Sequence, residues 1–208
     1  MLFFNDPAAL VGIAIALLVG LTFHEFSHAF LADQLGDHRP RALGRVSLNP
    51  VRHIDPMGAI MLLMVGFGWA KPVPVNPYAL RPGRRGMSMV AAAGPVANAV
   101  VALVAAVLFR LLGGMGIGGF VLDVVWFTVL FNWVLAIFNL LPIPPLDGYN
   151  IVLPFLPPNV AMQVQRNAHY GMLVLLGLIL VSYALPGPGP LSWIVQVAQS
   201  LTNVVIGA

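Results

Sequence analysis

The chain has 208 residues, of which 59% are hydrophobic and 8% charged, against about 25% charged in a soluble domain. With a mean hydropathy of +0.90, this composition excludes a water-soluble globule and points to a polytopic membrane protein, with lipid in place of water over most of its surface. The net charge of +3 reads as membrane-flanking loops rather than as a nucleic-acid footprint, and the absence of cysteine excludes disulfides and thiolate metal ligands.

The first predicted element is a helix from about Ala8 to Asp33, long enough to cross a hydrocarbon core of about 30 Å and stopped near Gly36. It has no basic segment before it and no clear cleavage site, so it reads as a retained helix rather than a leader. Residues 36–56 are polar and punctuated; alternation over 42–48 predicts a short strand, and Asn49-Pro50 and Asp55-Pro56 predict turns. The apolar run 57–70 is too short for a full span and fits a re-entrant segment. A proline-rich stretch follows to residue 86. Eight of the ten basic residues fall between 36 and 86, on both flanks of the short run. The positive-inside rule puts both flanks in the cytoplasm, which is consistent only if the run enters and returns.

Spans are predicted at Met87–Phe109 and Phe120–Leu141, joined by a glycine-rich turn. Gly114, Gly116 and Gly119 in that turn form a G-x-G-x-x-G, which carries no weight because no strand precedes it. Pro142, Pro144 and Pro145 break the chain after the third span, and Asp147 follows at once. Two further apolar runs, within 169–206, predict a C-terminal helical hairpin. The fold expected is therefore all-α and polytopic. It has about five to six transmembrane helices, a re-entrant or short segment and a small cytoplasmic-side β element. Residues 1–208 form a single membrane-embedded domain with its core at 8–150.

The chemistry concentrates in His24-Glu25-Phe26-Ser27-His28, an H-E-x-x-H at the end of the uncharged first run. Residues four apart share a helix face, which sets two imidazoles side by side as a tetrahedral zinc needs. Glu25, the only glutamate in the chain, lies about 100° round the helix, placed to hold a water without being a ligand. Ionisable groups at the end of an apolar span are costly and mark function. With an outside N-terminus, alternating spans bring Asp147 to the same cytoplasmic end as His24 and His28. Asp147 is therefore the leading third ligand, with His53 and Asp55 as second choices. Glu25 would serve as general base toward a zinc-activated water. His53 is a candidate for lining the site. Asn98 and Asn139 are candidates either for binding an unwound substrate strand or for joining helices.

These stretches resemble the site-2 protease family of intramembrane zinc metalloproteases. The resemblance is carried by HEFSH at 24–28 and LDG at 146–148 with the preceding FNLLPIPP, and supported by GPVAN at 94–98 and SLNPVRHIDPMG at 47–58. It covers most of residues 20–150 and fits a compact form without a PDZ or C-terminal soluble module. It implies His24, His28 and Asp147 as ligands of one Zn2+ per chain and Glu25 as catalytic base. The reaction implied is cleavage of a peptide bond in or near a transmembrane segment. The partners expected are a membrane-protein or transmembrane-peptide substrate and the lipid bilayer, without nucleic acid; a homo-oligomer stays open. A multi-pass protein of a prokaryotic inner membrane, with its active site toward the cytoplasm, is expected. Two alternatives are a membrane metal carrier, which would want ligands along a path and at both faces, and a catalytically silent substrate-binding relative. An exposed strand edge at 42–48 or along 71–79 would hold an unwound substrate by strand addition.

Overall fold

The chain opens with a helix that Asp6 caps, its carboxylate accepting from the Ala8 and Ala9 amides at 2.9 and 3.3 Å. Pro7 occupies the first helical position, where its missing N–H costs nothing. The computed structural model describes residues 6–65, 68–184 and 187–207. Helix α1 (Pro7–Ile15) passes through one π-helical turn (Ala16–Gly20) into α2 (Leu21–Gln34), giving 28 continuous residues. Gly36, at φ +112°, turns the chain out of it. A short α3 (Arg39–Ala42) follows, then α4 (Pro56–Val65) and the long α5 (Arg84–Gly114). After α6 (Phe120–Asn139) come the short α7 (Asp147–Val152), α8 (Pro158–Arg166), α9 (Gly171–Ala184) and α10 (Ser192–Ile206).

Three helical stretches are long and apolar enough to cross a membrane: Pro7–Gln34, Arg84–Gly114 and Phe120–Asn139. A fourth is reached only if α8 and α9, bent by 48°, count as one span. The expected five to six spans are thus not formed among the described residues. The reason is length: α9 and α10 have 14 and 15 residues, about 21–23 Å at 1.5 Å per residue, short of a core about 30 Å thick.

Helix α6 is the hub. It packs against α5, α1 and α10, while α2 and α7 lie on α5. Ala8 and Ala9 of α1, Val124, Phe127 and Leu130 of α6 and Ala198 of α10 form one core cluster. Ala102 and Ala106 of α5, Val129 and Ile206 form a second. Small residues at these seams let the backbones approach closely, as membrane helices require in the absence of a hydrophobic drive between them.

The predicted strand at 42–48 is absent. Residues 39–42 are helical, Gly44 takes a left-handed φ of +69° that interrupts extension, and the Arg45 amide turns back to the Pro40 carbonyl at 2.8 Å. Among the described residues β pairing is limited to an isolated antiparallel bridge between Ile54 and Ala70, beside which the Lys71 amide donates to the His53 carbonyl at 2.8 Å. That bridge joins the two ends of the segment containing α4, so the chain leaves at residue 54 and comes back beside it at residue 70. The loop before it is held by charge. Arg41 and His38 bind Asp33, and Arg39 binds Asp37, whose Oδ2 also accepts the Asn76 amide at 2.6 Å. The Arg39 guanidinium holds the Asp37 carboxyl down at about 2, against the opposing effect of its burial.

Candidate metal centre

Helix α2 carries His24, Glu25 and His28 into the interior, each less than one-tenth exposed. The proline break after α6 returns the chain so that Asp147 opens α7 beside them. His24 Nε2 and His28 Nε2 are 3.0 Å apart. Asp147 Oδ2 lies 3.1 Å from His24 Nε2, and Oδ1 lies 3.3 Å from His28 Nε2. Two ligand atoms each about 2.0–2.1 Å from a tetrahedral zinc stand about 3.3 Å apart, so the triangle has the dimensions of one face of such a site. Among the described residues no other group of His, Asp or Glu side chains offers a comparable cluster.

The tautomers sharpen the fit. His28 Nδ1 lies 2.7 Å from the Val90 carbonyl, which can only accept, so Nδ1 carries the proton. His24 Nδ1 lies 2.7 Å from Asn98 Oδ1. The Asn98 amide nitrogen is committed to the Gly20 carbonyl at 3.2 Å and Asn132 Oδ1 at 3.1 Å, so its oxygen faces His24 and accepts. Both Nε2 lone pairs and a carboxylate therefore point at one another. Asp147 Oδ2 is buried without a hydrogen-bond donor. Three converging acceptors with no donor repel one another unless a cation lies among them. Two histidines and a carboxylate, each imidazole donating its other N–H to an oxygen, form the donor set of a zinc site with its supporting shell.

Gly94 on α5 completes the cradle. A Cβ there would lie 2.5 Å from both His24 Cε1 and His28 Nε2, so the helices can hold this spacing only around a glycine. The π turn helps too. Widening the helix at Ala16–Gly20 accompanies a Gly20 carbonyl that accepts from Asn98, and such turns recur at functional sites.

Glu25 lies beside Arg45, whose Nη2 is 3.7 Å from Glu25 Oε2. Arg45 is buried; its guanidinium donates to the Pro72 carbonyl at 2.9 Å and also to the Lys71 carbonyl. Burial pulls the Arg45 pKa down, and the Glu25 carboxylate opposes that.

Of the residues singled out from sequence, His24, His28 and Asp147 converge with Glu25 adjacent. Asn98 joins three helices and also orients His24. His53 does not meet the triangle: its Nε2 bonds the Ser47 carbonyl at 2.7 Å and its Nδ1 lies 3.5 Å from Arg45, so it backs Arg45. Asn139 donates to Leu135 on its own helix at 3.0 Å and makes no hydrogen bond to the centre. Asp55 caps α4 through the Gly58 amide at 2.9 Å and does not join the cluster of His24, His28 and Asp147. Sequence reading gave no site role to Arg45, Asn132 or Gly94. A lone polar residue in mid-span was the available signal for Asn132, and the GPVAN stretch at 94–98 was the available signal for Gly94.

Fold and site together define a protein of apolar helices with a His-His-carboxylate group that could hold a metal ion, beside a buried glutamate. The chain is 38% identical over 174 residues to the "Putative zinc metalloprotease YwhC" of Bacillus subtilis (strain 168), covering 80% of this chain and 78% of that one. It is 32% identical over 189 residues to the "Putative zinc metalloprotease Rip2" of Mycobacterium tuberculosis (strain ATCC 25618 / H37Rv), covering 84% and 70%. It is 30% identical over 188 residues to the protein of the same name from Mycolicibacterium smegmatis (strain ATCC 700084 / mc(2)155), covering 84% and 70%. No family model matches the chain, and no solved structure matches it. The chain belongs to the family of these zinc metalloproteases, which is site-2 protease-like, and zinc is the metal its donor set suits.

Proposed function

We propose that the chain is an intramembrane zinc metalloprotease that hydrolyses a peptide bond in or near a transmembrane segment of a membrane-protein substrate. The observation that carries this reading is the depth of the metal triangle. His24 and His28 lie on a helix long and apolar enough to span a membrane, and Asp147 meets them from the break after another. A protease for soluble substrates has no use for a site so enclosed by apolar helices.

His24, His28 and Asp147 hold the metal, and Asn98 and the Val90 carbonyl keep both imidazoles in the tautomer that can do so. Zinc, when bound, lowers the pKa of a coordinated water to about 7 and polarises a carbonyl. Glu25 takes a proton from the attacking water and later delivers it to the leaving amine. The substrate strand must be unwound before its carbonyl is accessible. With no strand at 42–48, the non-helical return limb at 71–76 is the remaining edge for it. The basic flanks on both sides of α4 support an active site toward the cytoplasm, and the bacterial relatives support a prokaryotic inner membrane.

Cleavage of a model transmembrane peptide by the reconstituted full chain tests the reading. Wild type should cleave it, and Glu25→Gln should bind it without turnover. A Glu25→Gln variant that cleaves at the wild-type rate would remove Glu25 from the chemistry. A metal carrier would instead go on moving zinc across the bilayer in that variant.

A further inference from the structure

Two pairs of basic residues between 36 and 86 differ in how they are held. Arg39 and Arg41 are neutralised by Asp37 and Asp33 and fold the loop. Arg52 and Lys71 are exposed, and among the described residues neither side chain has a hydrogen bond or an ion pair. They are nonetheless brought together, because the Ile54–Ala70 bridge and the Lys71 amide bond to His53 close the neck of the α4 hairpin between them. At that neck is a cavity of about 460 Å³ whose walls include Arg45, Arg52 and Lys71. The remaining walls are Leu43, Asn49, Val51 and Ile54, with no carboxylate. Arg45 Nε is buried without an acceptor.

Arg45 has the Glu25 carboxylate at 3.7 Å, but Arg52 and Lys71 face the hollow with no carboxylate in its walls, an excess of positive charge that an anion would offset. The rim says which anion. Val51 is 74% exposed, Leu43 60% and Ile54 47%, and the same apolar surface continues onto α4 at Met57 (59%) and Ile60 (49%). Large apolar side chains bared around a cationic hollow, next to the apolar helix α4, suit the zone where headgroups meet acyl chains. A freely dissolved anion would leave that rim in water.

We propose that this cavity is a binding site for the phosphate group of an anionic membrane lipid, with Arg52 and Lys71 contacting the phosphate and Leu43, Val51 and Ile54 against the acyl chains. Arg45 forms the inner wall and reaches toward Glu25, so an occupied site borders the metal centre.

The test is native mass spectrometry of the purified full chain with equal amounts of phosphatidylglycerol and phosphatidylcholine, with lipid retention as the readout. This readout is independent of proteolysis. Wild type should retain phosphatidylglycerol preferentially. Arg52→Gln/Lys71→Gln should lose that retention by about tenfold or more, at roughly 1 kcal/mol per basic side chain near an anionic surface. Arg85→Gln/Arg166→Gln, which removes the same charge from exposed positions elsewhere, should retain it. Excess inorganic phosphate should leave the lipid bound. Lys71→Glu alone, at an exposed side chain, gives the same reading should the double variant not fold. Equal retention by the neck variants and wild type would overturn the proposal, as would equal retention of the two lipids. Displacement by inorganic phosphate would reassign the site to the free anion.

Discussion

Replacing Gly94 with alanine is the most informative single perturbation. On helix propensity alone the change should help, since glycine in a helix interior is worse than alanine by about 1 kcal/mol, and Gly94 is interior to α5. The structure predicts the opposite. The new Cβ would stand 2.5 Å from His24 Cε1 and 2.5 Å from His28 Nε2, whereas non-bonded carbon atoms rest about 3.5–4.0 Å apart. Both imidazoles, or the whole α2–α5 contact, must therefore move by roughly 1 Å. The rings cannot simply rotate, because Asn98 and the Val90 carbonyl hold their Nδ1 atoms. Zinc affinity, measured by competition with a chromogenic chelator, should fall by about 10–100-fold, the range found when supporting groups of metal ligands are lost. Cleavage at saturating zinc should fall by about 100-fold, the scale set by a 1 Å misplacement of a reacting centre. A Gly94→Ala protein that keeps wild-type zinc affinity and activity would refute the placement of α5 against the ligand pair.

Three further outcomes follow from separate parts of the structure. Asn98→Ala removes the acceptor for His24 Nδ1 and the link to Gly20 and Asn132; zinc affinity should drop by about 10–100-fold in the same chelator competition, with a lower melting temperature. In this cysteine-free chain, Val51→Cys and Val73→Cys should react with a membrane-impermeant thiol reagent from the same side of sealed vesicles, because the hairpin's two ends meet at Ile54 and Ala70; labelling from opposite sides would make residues 57–70 a span. Asp37 has a folded pKa of about 2, below its ordinary 3.8. Its contribution is present above about pH 4 and is lost as the pH falls toward 2. Acid unfolding followed by fluorescence should show this loss in wild type, while Asp37→Asn should be less stable near neutrality and flatter over that window.

The parts of this protein that were legible in sequence are those set by local rules. The i, i+4 spacing of His24 and His28 puts them on one face whatever surrounds them. Long apolar runs became the three helices long and apolar enough to cross a membrane, with ends within a few residues of expectation. The departures arise where a long-range contact outweighs a local pattern. Alternation over 42–48 reads as a strand, but a strand needs a partner, and here Gly44 turns left-handed and Arg45 is drawn inward beside Glu25. The C-terminal runs read as spans near the lower length limit, and their helices stop short of it. His53 and Arg45 are eight residues apart, and neither carries a pattern that announces a shared hydrogen-bond network. The packing role of Gly94, though it opens the GPVAN stretch, and that of the π turn are hidden for the same reason: their meaning lies in what approaches them from another helix.

The central claim is that three side chains from two distant stretches hold one zinc, with Glu25 beside them as base and not as ligand. Zinc content by inductively coupled plasma mass spectrometry, on protein purified without chelators, addresses it directly in wild type, Glu25→Gln and Asp147→Ala. About one zinc per chain is expected in wild type and Glu25→Gln, with loss in Asp147→Ala, since catalytic sites use three protein ligands. Full zinc in Asp147→Ala, or loss of zinc in Glu25→Gln, would contradict the assignment.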